Sequence, residues 1–335
     1  MDIAFLTGGT GFVGANLIRL LAEKNLRVRV LARKNSDKRN LEGLPVEIVE
    51  GGLLDPEALE IGCRGARYVF HLAADYRIWA PDPTEMYKTN VEGTKAVLTA
   101  ATQAKAEKIV YCSSVAAVRP PDGKVPSTEE NEYSGTEEII GDYKKSKYLG
   151  EQEALRLSRQ GGPIVIVNPS APIGPLDIKP TPTGKIIVDF LSGRMPSYID
   201  TGLNLVDVRD AALGHYMAAL KGKIGERYIL AGENLTFKRI LDILSEETGI
   251  PAPRFKTPYA VAWLYGAVDT ARARALGGEP RAPLDAVRMA RHFMWFDSSK
   301  ARRELGFPVS DARRALKDAV SWFVEKGYAP RPVPA

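Results

Sequence analysis

Short continuous apolar runs alternate with amphipathic stretches through the first half of the chain. Residues 3–7, 27–32, 45–50, 68–72, 108–113 and 164–168 read as strands. Their apolar positions are consecutive rather than alternating, the pattern of strands covered on both faces. The segments between them, such as 15–24, carry helical spacing. Together they predict an α/β fold, a doubly wound parallel sheet. After Asn168 the texture changes. Pro169, Pro172, Pro175, Pro180 and Pro182, with Gly174 and Gly184, mark a segment expected to form neither regular helix nor central strand. Residues 205–208 and 227–231 then read as further strands of the same sheet, and the pattern from Thr236 onward is mostly helical. The division expected is a main domain of 1–168 plus about 205–233, and a smaller, mostly helical substrate domain of about 169–204 plus 234–335.

Composition narrows the class. Apolar and charged fractions of 44% and 26% are those of a soluble globular protein. The first strand begins at Ile3, which leaves no room for a leader and points to the cytoplasm. Cys63 and Cys112 lack the spacing of a metal site or a disulfide framework. A net charge of +5 suits an anionic cofactor or substrate, and no nucleic-acid module is recognisable. The longest apolar candidate, 259–268, falls short of the roughly 20 residues that span a bilayer. It is followed by Arg272, Arg274, Arg281, Arg288 and Arg291. A membrane-surface helix is one reading; the preferred one is an amphipathic helix of the substrate domain with a solvated basic face.

Chemistry enters with the loop after the first strand, Thr7-Gly8-Gly9-Thr10-Gly11-Phe12-Val13-Gly14. Gly8 serves a tight turn, Gly11 lets backbone approach a pyrophosphate, and Gly14 lets helix pack on strand. The helix amides that follow face the anion. At the end of the second strand Ala32 is followed by Arg33 and Lys34. A carboxylate there would repel a ribose phosphate, whereas a guanidinium binds one with paired hydrogen bonds, so NADP is preferred over NAD. Farther on, Tyr143-Lys144-Lys145-Ser146-Lys147 sets Tyr143 and Lys147 one helical turn apart. The ammonium is expected to favour the phenolate. Ser113-Ser114 ends the strand at 108–113, carrying hydroxyls to the crevice where doubly wound sheets bind ligands.

Glycine loop, Ser-Ser and Tyr-x-x-x-Lys in this order resemble the short-chain dehydrogenase/reductase superfamily, and the loop T-G-x-x-G-x-x-G resembles its extended branch. His71-Leu72-Ala73-Ala74, Asn90-Val91-Glu92-Gly93-Thr94, Asp297-Ser298-Ser299-Lys300-Ala301 and Glu304-Leu305-Gly306 are similar to that branch's further motifs. Within it the chain resembles dihydroflavonol reductases, 3β-hydroxysteroid dehydrogenases and nucleotide-sugar epimerases. Tyr76-Arg77-Ile78-Trp79-Ala80-Pro81-Asp82-Pro83 and the tail Gly327-Tyr328-Ala329-Pro330-Arg331 look most like bacterial hopanoid-associated sugar epimerases.

The resemblance implies a Rossmann domain with Ser114, Tyr143 and Lys147 as the catalytic set, Ser113 remaining an alternative to Ser114. It implies Thr7, Phe12, Val13, Leu53, Ala73, Ala74, Pro169 and Ser170 beside the cofactor; the family's acidic residue near the adenine is replaced by glycine in Glu50-Gly51-Gly52. Asn90 either braces the helix bearing Lys147 or caps its own. His71 reads as a core histidine. Three functions use this frame: a dehydrogenase or reductase, an epimerase that retains its cofactor, and a non-catalytic cofactor-binding sensor or scaffold. A nucleotide sugar would call on Lys185, Arg194, Arg209, Arg272 or Arg281; a polycyclic lipid would call on Tyr76, Ile78, Trp79, Ile173 and the aromatics of 259–265. Ala96, Ala100, Ala101 and Ala104 would allow a homodimer through paired helices, or would pack on the chain's own sheet.

Overall fold

The computed structural model describes residues 1–331. Six strands form early: β1 (Ile3–Thr7), β2 (Arg27–Ala32), β3 (Val46–Glu50), β4 (Ala66–His71), β5 (Lys108–Cys112) and β6 (Ile164–Pro169). Then come β7 (Ala171–Ile173), β8 (Ser197–Tyr198), β9 (Gly202–Asp207), β10 (Arg227–Leu230), β11 (Glu233–Thr236), β12 (Phe255–Lys256) and β13 (Phe293–Met294). The helices of the first half are α1 (Phe12–Glu23), α2 (Pro56–Cys63), α3 (Thr84–Tyr87), α4 (Thr94–Gln103) and α5 (Asp142–Arg159). Those of the second are α6 (Pro182–Leu191), α7 (Val208–Lys221), α8 (Phe237–Thr248), α9 (Tyr259–Leu276), α10 (Leu284–Met289), α11 (Ser299–Leu305) and α12 (Ala312–Glu325).

The main sheet has seven strands in the order β10-β6-β5-β4-β1-β2-β3, every pair parallel. It is the Rossmann arrangement that the apolar runs predict. One face packs Leu17, Ile18 and Leu21 of α1 and the alanines of α7 onto Leu6, Val110 and Val167. The other packs Leu59 of α2, Val97 and Leu98 of α4 and Ala154 of α5 onto Phe5, Val69, Ile109 and Ile166. With strand order reversing at β1 and β4, their carboxyl ends open a crevice lined by the Thr7–Gly14 loop and by Leu72, Ala73 and Ala74.

The second half departs from the sequence expectation in three places. Residues 205–207 do not rejoin the main sheet: they belong to β9, which pairs with β7, β11 and β13 in a smaller sheet, and Val208 already starts α7. Asp207 ends the strand by accepting the Arg209 amide as the helix cap. Pro182 and Gly184, read as helix-excluding, lie in α6, because Pro182 occupies the first turn where no amide is needed and Thr181 caps it. Finally, α11 packs on α7 and β10 beside the main sheet, putting Ala301 and Leu305 in its core. The expectation for 227–231 holds, since Arg227–Leu230 is the seventh strand. Helices α6, α8 and α12 cover the smaller sheet over Phe190, Leu241, Leu244, Leu316 and Phe323. No helix among the described residues is long and apolar enough to cross a membrane.

Candidate active site

A cleft of about 1130 Å³ runs along the carboxyl end of the main sheet and under the smaller one. At its floor the glycine loop is shaped by contact. Gly8 has φ 75°, and a Cβ on it would lie 2.5 Å from the Ala73 nitrogen. A Cβ on Gly14 would lie 2.3 Å from the Gly8 carbonyl oxygen, so helix and loop approach only because both positions are glycine. Gly11 caps α1 without a side-chain hydrogen bond, and the first turn holds no acidic residue. The amides of Phe12 and Val13 therefore stay open to an anion. This cradle fits the pyrophosphate of a dinucleotide.

Thr7 lines the cleft and is also tied to the core behind it. Its hydroxyl lies 2.6 Å from His71 Nδ1, while His71 Nε2 lies 3.0 Å from the Thr94 hydroxyl. Burial pushes His71 down to about 3, so it is a neutral core histidine, as its apolar strand implies. Leu53, Ala73, Ala74, Pro169 and Ser170 line the cleft. The Ser170 and Ser113 hydroxyls are buried and unpartnered among the described residues, as befits groups facing a bound molecule. At the far end Arg33 lines the cleft, exposed and unpaired among the described residues. Lys34 does not line it: its side chain is exposed beyond the rim, and its carbonyl accepts Lys38 Nζ at 2.7 Å. Asp37 also lines this end and is tied to Arg39 at 2.7 Å, which holds its carboxyl at about 2.

Ser114, Tyr143 and Lys147 converge midway along the cleft. Lys147 is 3% exposed and donates to the Cys112 carbonyl at 2.9 Å and the Tyr111 hydroxyl at 3.4 Å. Ser114 lies close enough to Tyr143 to lower its pKa, and its hydroxyl also accepts the Ala116 amide at 3.1 Å. The expected depression of Tyr143 is not the net result. Burial raises its pKa above the ordinary value, while Lys147 and Ser114 pull against that rise.

The helix under this group is braced by residues that sequence spacing only hinted at. Between α3 and α4, residues Lys88–Gly93 form a π-type turn, which aims Asn90 at α5. Its amide donates to the Ser146 hydroxyl at 2.9 Å and the Asp75 carbonyl at 2.8 Å, and its own oxygen accepts the Asp75 amide at 2.8 Å. It braces the helix bearing Lys147 rather than capping its own. On the other side, Glu151 joins Asn168 and Arg227 in a buried chain.

The rest of the cleft is lined by Tyr76, Ile78, Leu203, Met289, Met294 and Phe296, together with Arg77, Lys88, Asp177 and Lys179. Lys144, next to Tyr143 in the chain, carries no spacing signal that marks it as a cleft residue. It also lines the cleft, is 5% exposed, and among the described residues its ammonium has one hydrogen-bond partner, Met294 Sδ at 3.7 Å; burial pushes it down to about 8. Two expected substrate contacts are elsewhere. Ile173 is 2% exposed in the core of the smaller sheet, because its strand turns that side chain inward toward Ile187 and Phe190. Trp79 lines a separate cavity of about 610 Å³ against α9 and α10. None of Lys185, Arg194, Arg209, Arg272 and Arg281 lines the cleft; Arg194, Arg209 and Arg272 are paired with Asp189, Asp207 and Asp269.

Comparison with known proteins places this geometry. The model of the NAD dependent epimerase/dehydratase family matches residues 4–231. A Synechocystis sp. protein provisionally named dihydroflavonol 4-reductase is 47% identical over 331 residues, covering 98% of this chain and 96% of its own. Sterol demethylase protein B of Methylococcus capsulatus is 34% identical over 328 residues, covering 96% of this chain and 98% of its own. The solved structure of a nucleoside-diphosphate-sugar epimerase from Pseudomonas aeruginosa superposes with a TM-score of 0.82 at 27% identity, covering 98% of this chain and 99% of the other.

Proposed function

The chain belongs to the NAD dependent epimerase/dehydratase family, whose members bind a nicotinamide cofactor, and from that premise we propose that it is an NADPH-dependent reductase of a ketone on a largely apolar substrate. The observation that carries this reading is the meeting of Tyr143, Lys147 and Ser114 with an apolar substrate half built from Ile78, Met289, Met294 and Phe296. The five arginines and lysines considered for the pyrophosphate of a sugar nucleotide lie outside the cleft, while Arg77, Lys88, Lys144 and Lys179 line it, so the preference for a ketone rests on the apolar residues rather than on a want of cations.

The Gly8–Gly11 loop and the Phe12 and Val13 amides would hold the pyrophosphate, Gly14 letting α1 come close enough to offer them, while Arg33 would meet the ribose phosphate and Leu53 the adenine. The bound nicotinamide supplies or accepts a hydride. Ser114 donates a hydrogen bond to the substrate carbonyl oxygen and orients it toward Tyr143. Tyr143 gives its phenolic proton to that oxygen as the carbon is reduced, so the ketone becomes a secondary alcohol. Lys147, fixed by the Cys112 carbonyl, stabilises the phenolate left behind and holds the nicotinamide ribose. The raised Tyr143 pKa keeps the phenol protonated at neutral pH, the form a reduction requires.

The test is the identity and occupancy of cofactor in freshly purified protein, followed by titration with NADPH and NADH. Exchangeable NADPH, bound far more tightly than NADH, with NADPH consumption on apolar ketones, is the expected result. A stoichiometric cofactor that survives purification, with no net redox on any ketone, would instead support an epimerase, the reading favoured by the similarity to the Pseudomonas aeruginosa structure.

A further inference from the structure

On α9 the apolar side of the helix faces solvent. Val261, Leu264, Tyr265, Val268 and Leu276 are each more than half exposed. They recur at the spacing of one helical face, continued by exposed Ala271 and Ala275. The opposite side, carrying Ala262, Gly266, Asp269, Thr270 and Ala273, is the buried one. The solvated face is therefore apolar rather than basic, reversing the preferred sequence reading. Trp263 and, on β12, Phe255 extend the exposed apolar surface. Contiguous apolar surface of this kind marks an interaction site.

Charge decides the occupant. Residues 254–291 hold seven Lys or Arg and three Asp or Glu, an excess of four in a chain whose net charge is +5. Arg254, Arg274 and Arg281 are exposed, and no carboxylate pairs with them among the described residues. Arg291 is exposed too, with its guanidinium over the Tyr259 ring at 5.9 Å. A second copy of this chain docking face to face would bring the same arginines against one another. An anionic bilayer surface satisfies both features: apolar side chains enter the acyl boundary, and arginines meet the headgroups.

We propose that α9 docks this protein on anionic lipid surfaces, lying in the interface without crossing it. Position gives the docking a purpose. Helix α9 packs against α10, and α10 ends at Met289, which lines the substrate half of the cleft. A single helix, α10, then separates the docked α9 from the cleft, a short path for an apolar ketone that partitions into the bilayer. That last link rests on the proposed reductase activity; the docking itself does not.

The experiment is flotation of the full chain with vesicles of phosphatidylcholine alone and of phosphatidylcholine with phosphatidylglycerol, at low and high salt. Co-flotation only with the anionic vesicles, reduced by salt, is expected. Leu264→Glu/Val268→Glu should abolish it, and Arg274→Glu/Arg281→Glu should weaken partition at least about tenfold, both with NADPH binding unchanged as the check of folding. No flotation, or flotation untouched by either variant, would overturn the proposal. So would a dimer in light scattering that Leu264→Glu/Val268→Glu dissolves without any vesicle binding, since the face would then join two copies. Failure of the reductase reading would appear separately, as absent ketone reduction in a protein that still floats.

Discussion

Glu151 and Asn168 share a hydrogen bond of 2.6 Å between two fully buried side chains. The Asn168 amide also donates to the Ser114 carbonyl at 2.9 Å, and Arg227 donates to the other Glu151 oxygen at 3.0 Å. Strand β10 is thereby connected through α5 and β6 to the loop that presents Ser114. A buried carboxylate held this way is costly to remove, because the Asn168 amide and one arm of Arg227 lose their buried acceptor, although Glu132 still pairs with the other arm. Glu151→Ala is expected to lose about 3 kcal/mol of stability, read from urea unfolding midpoints. Glu151→Gln, which keeps an acceptor, should lose less and retain the position of Ser114, leaving KM for a ketone near the parent value.

Arg33 lines the far end of the cleft beside Ser36 and Asp37, while its neighbour Lys34 is exposed and does not line it. Charge-assisted hydrogen bonds contribute about 1.5–3 kcal/mol each. Arg33→Ala should therefore weaken NADPH binding roughly 10- to 100-fold and leave NADH binding nearly unchanged, in a fluorescence titration of each cofactor. Lys34→Ala should alter neither by more than about twofold, given its exposure. Equal losses for both cofactors on Arg33→Ala would remove the phosphate role.

What the sequence disclosed follows the range of the forces involved. The strand-loop-helix of residues 3–23 was legible because apolar runs, glycine positions and helical spacing are all local. The destination of residues 205–207 was not. An apolar triplet carries no mark of which sheet it will pair with, and its partners β7 and β11 are fixed by tertiary packing. Ile173 and Trp79 failed as substrate contacts for the same reason: their chemistry suits a cleft, but which way each points is set by distant elements. Asn90 was ambiguous until the π-type turn aimed it at Ser146. The apolar residues of α9 read as a buried face because apolar periodicity shows that a helix is two-sided, not which side is covered.

Acid stability should be governed by opposed buried groups. Burial lowers His71 from 6.5 to about 3 and His215 from 6.5 to about 4, and it raises Asp177 from 3.8 to about 6. Between pH 6 and 4 the unfolded chain takes up protons on both histidines that the folded one refuses, so their contribution falls as pH falls. Asp177 acts oppositely: the folded state keeps a proton that the unfolded state releases, a stabilisation lost as pH rises through the same window. Asp177→Asn should therefore steepen the decline by about 1.4 kcal/mol per pH unit between pH 6 and 4. Unfolding midpoints at a series of pH values would read it, and an unchanged slope would contradict the assignment.

Lys144 is an ammonium at 5% exposure whose contact within reach is a thioether, Met294 Sδ. Burial holds its pKa at about 8 against an ordinary 10.5. At neutral pH it is charged in both states, so the folded protein carries the full desolvation cost, about 3 kcal/mol for a shift of this size. From pH 8 upward the folded state sheds the proton while the unfolded state keeps it, and stability should rise by about 1.4 kcal/mol per pH unit up to the range where tyrosines ionise. Lys144→Met should raise stability at pH 7 by roughly 2–3 kcal/mol and flatten the profile between pH 8 and 9.5. A cation kept beside Tyr143 at that cost is suited to holding a second oxygen of the substrate. The same variant should therefore raise KM for ketones bearing such an oxygen while changing kcat less, and a variant that is more stable with KM unchanged would leave Lys144 without a role in binding.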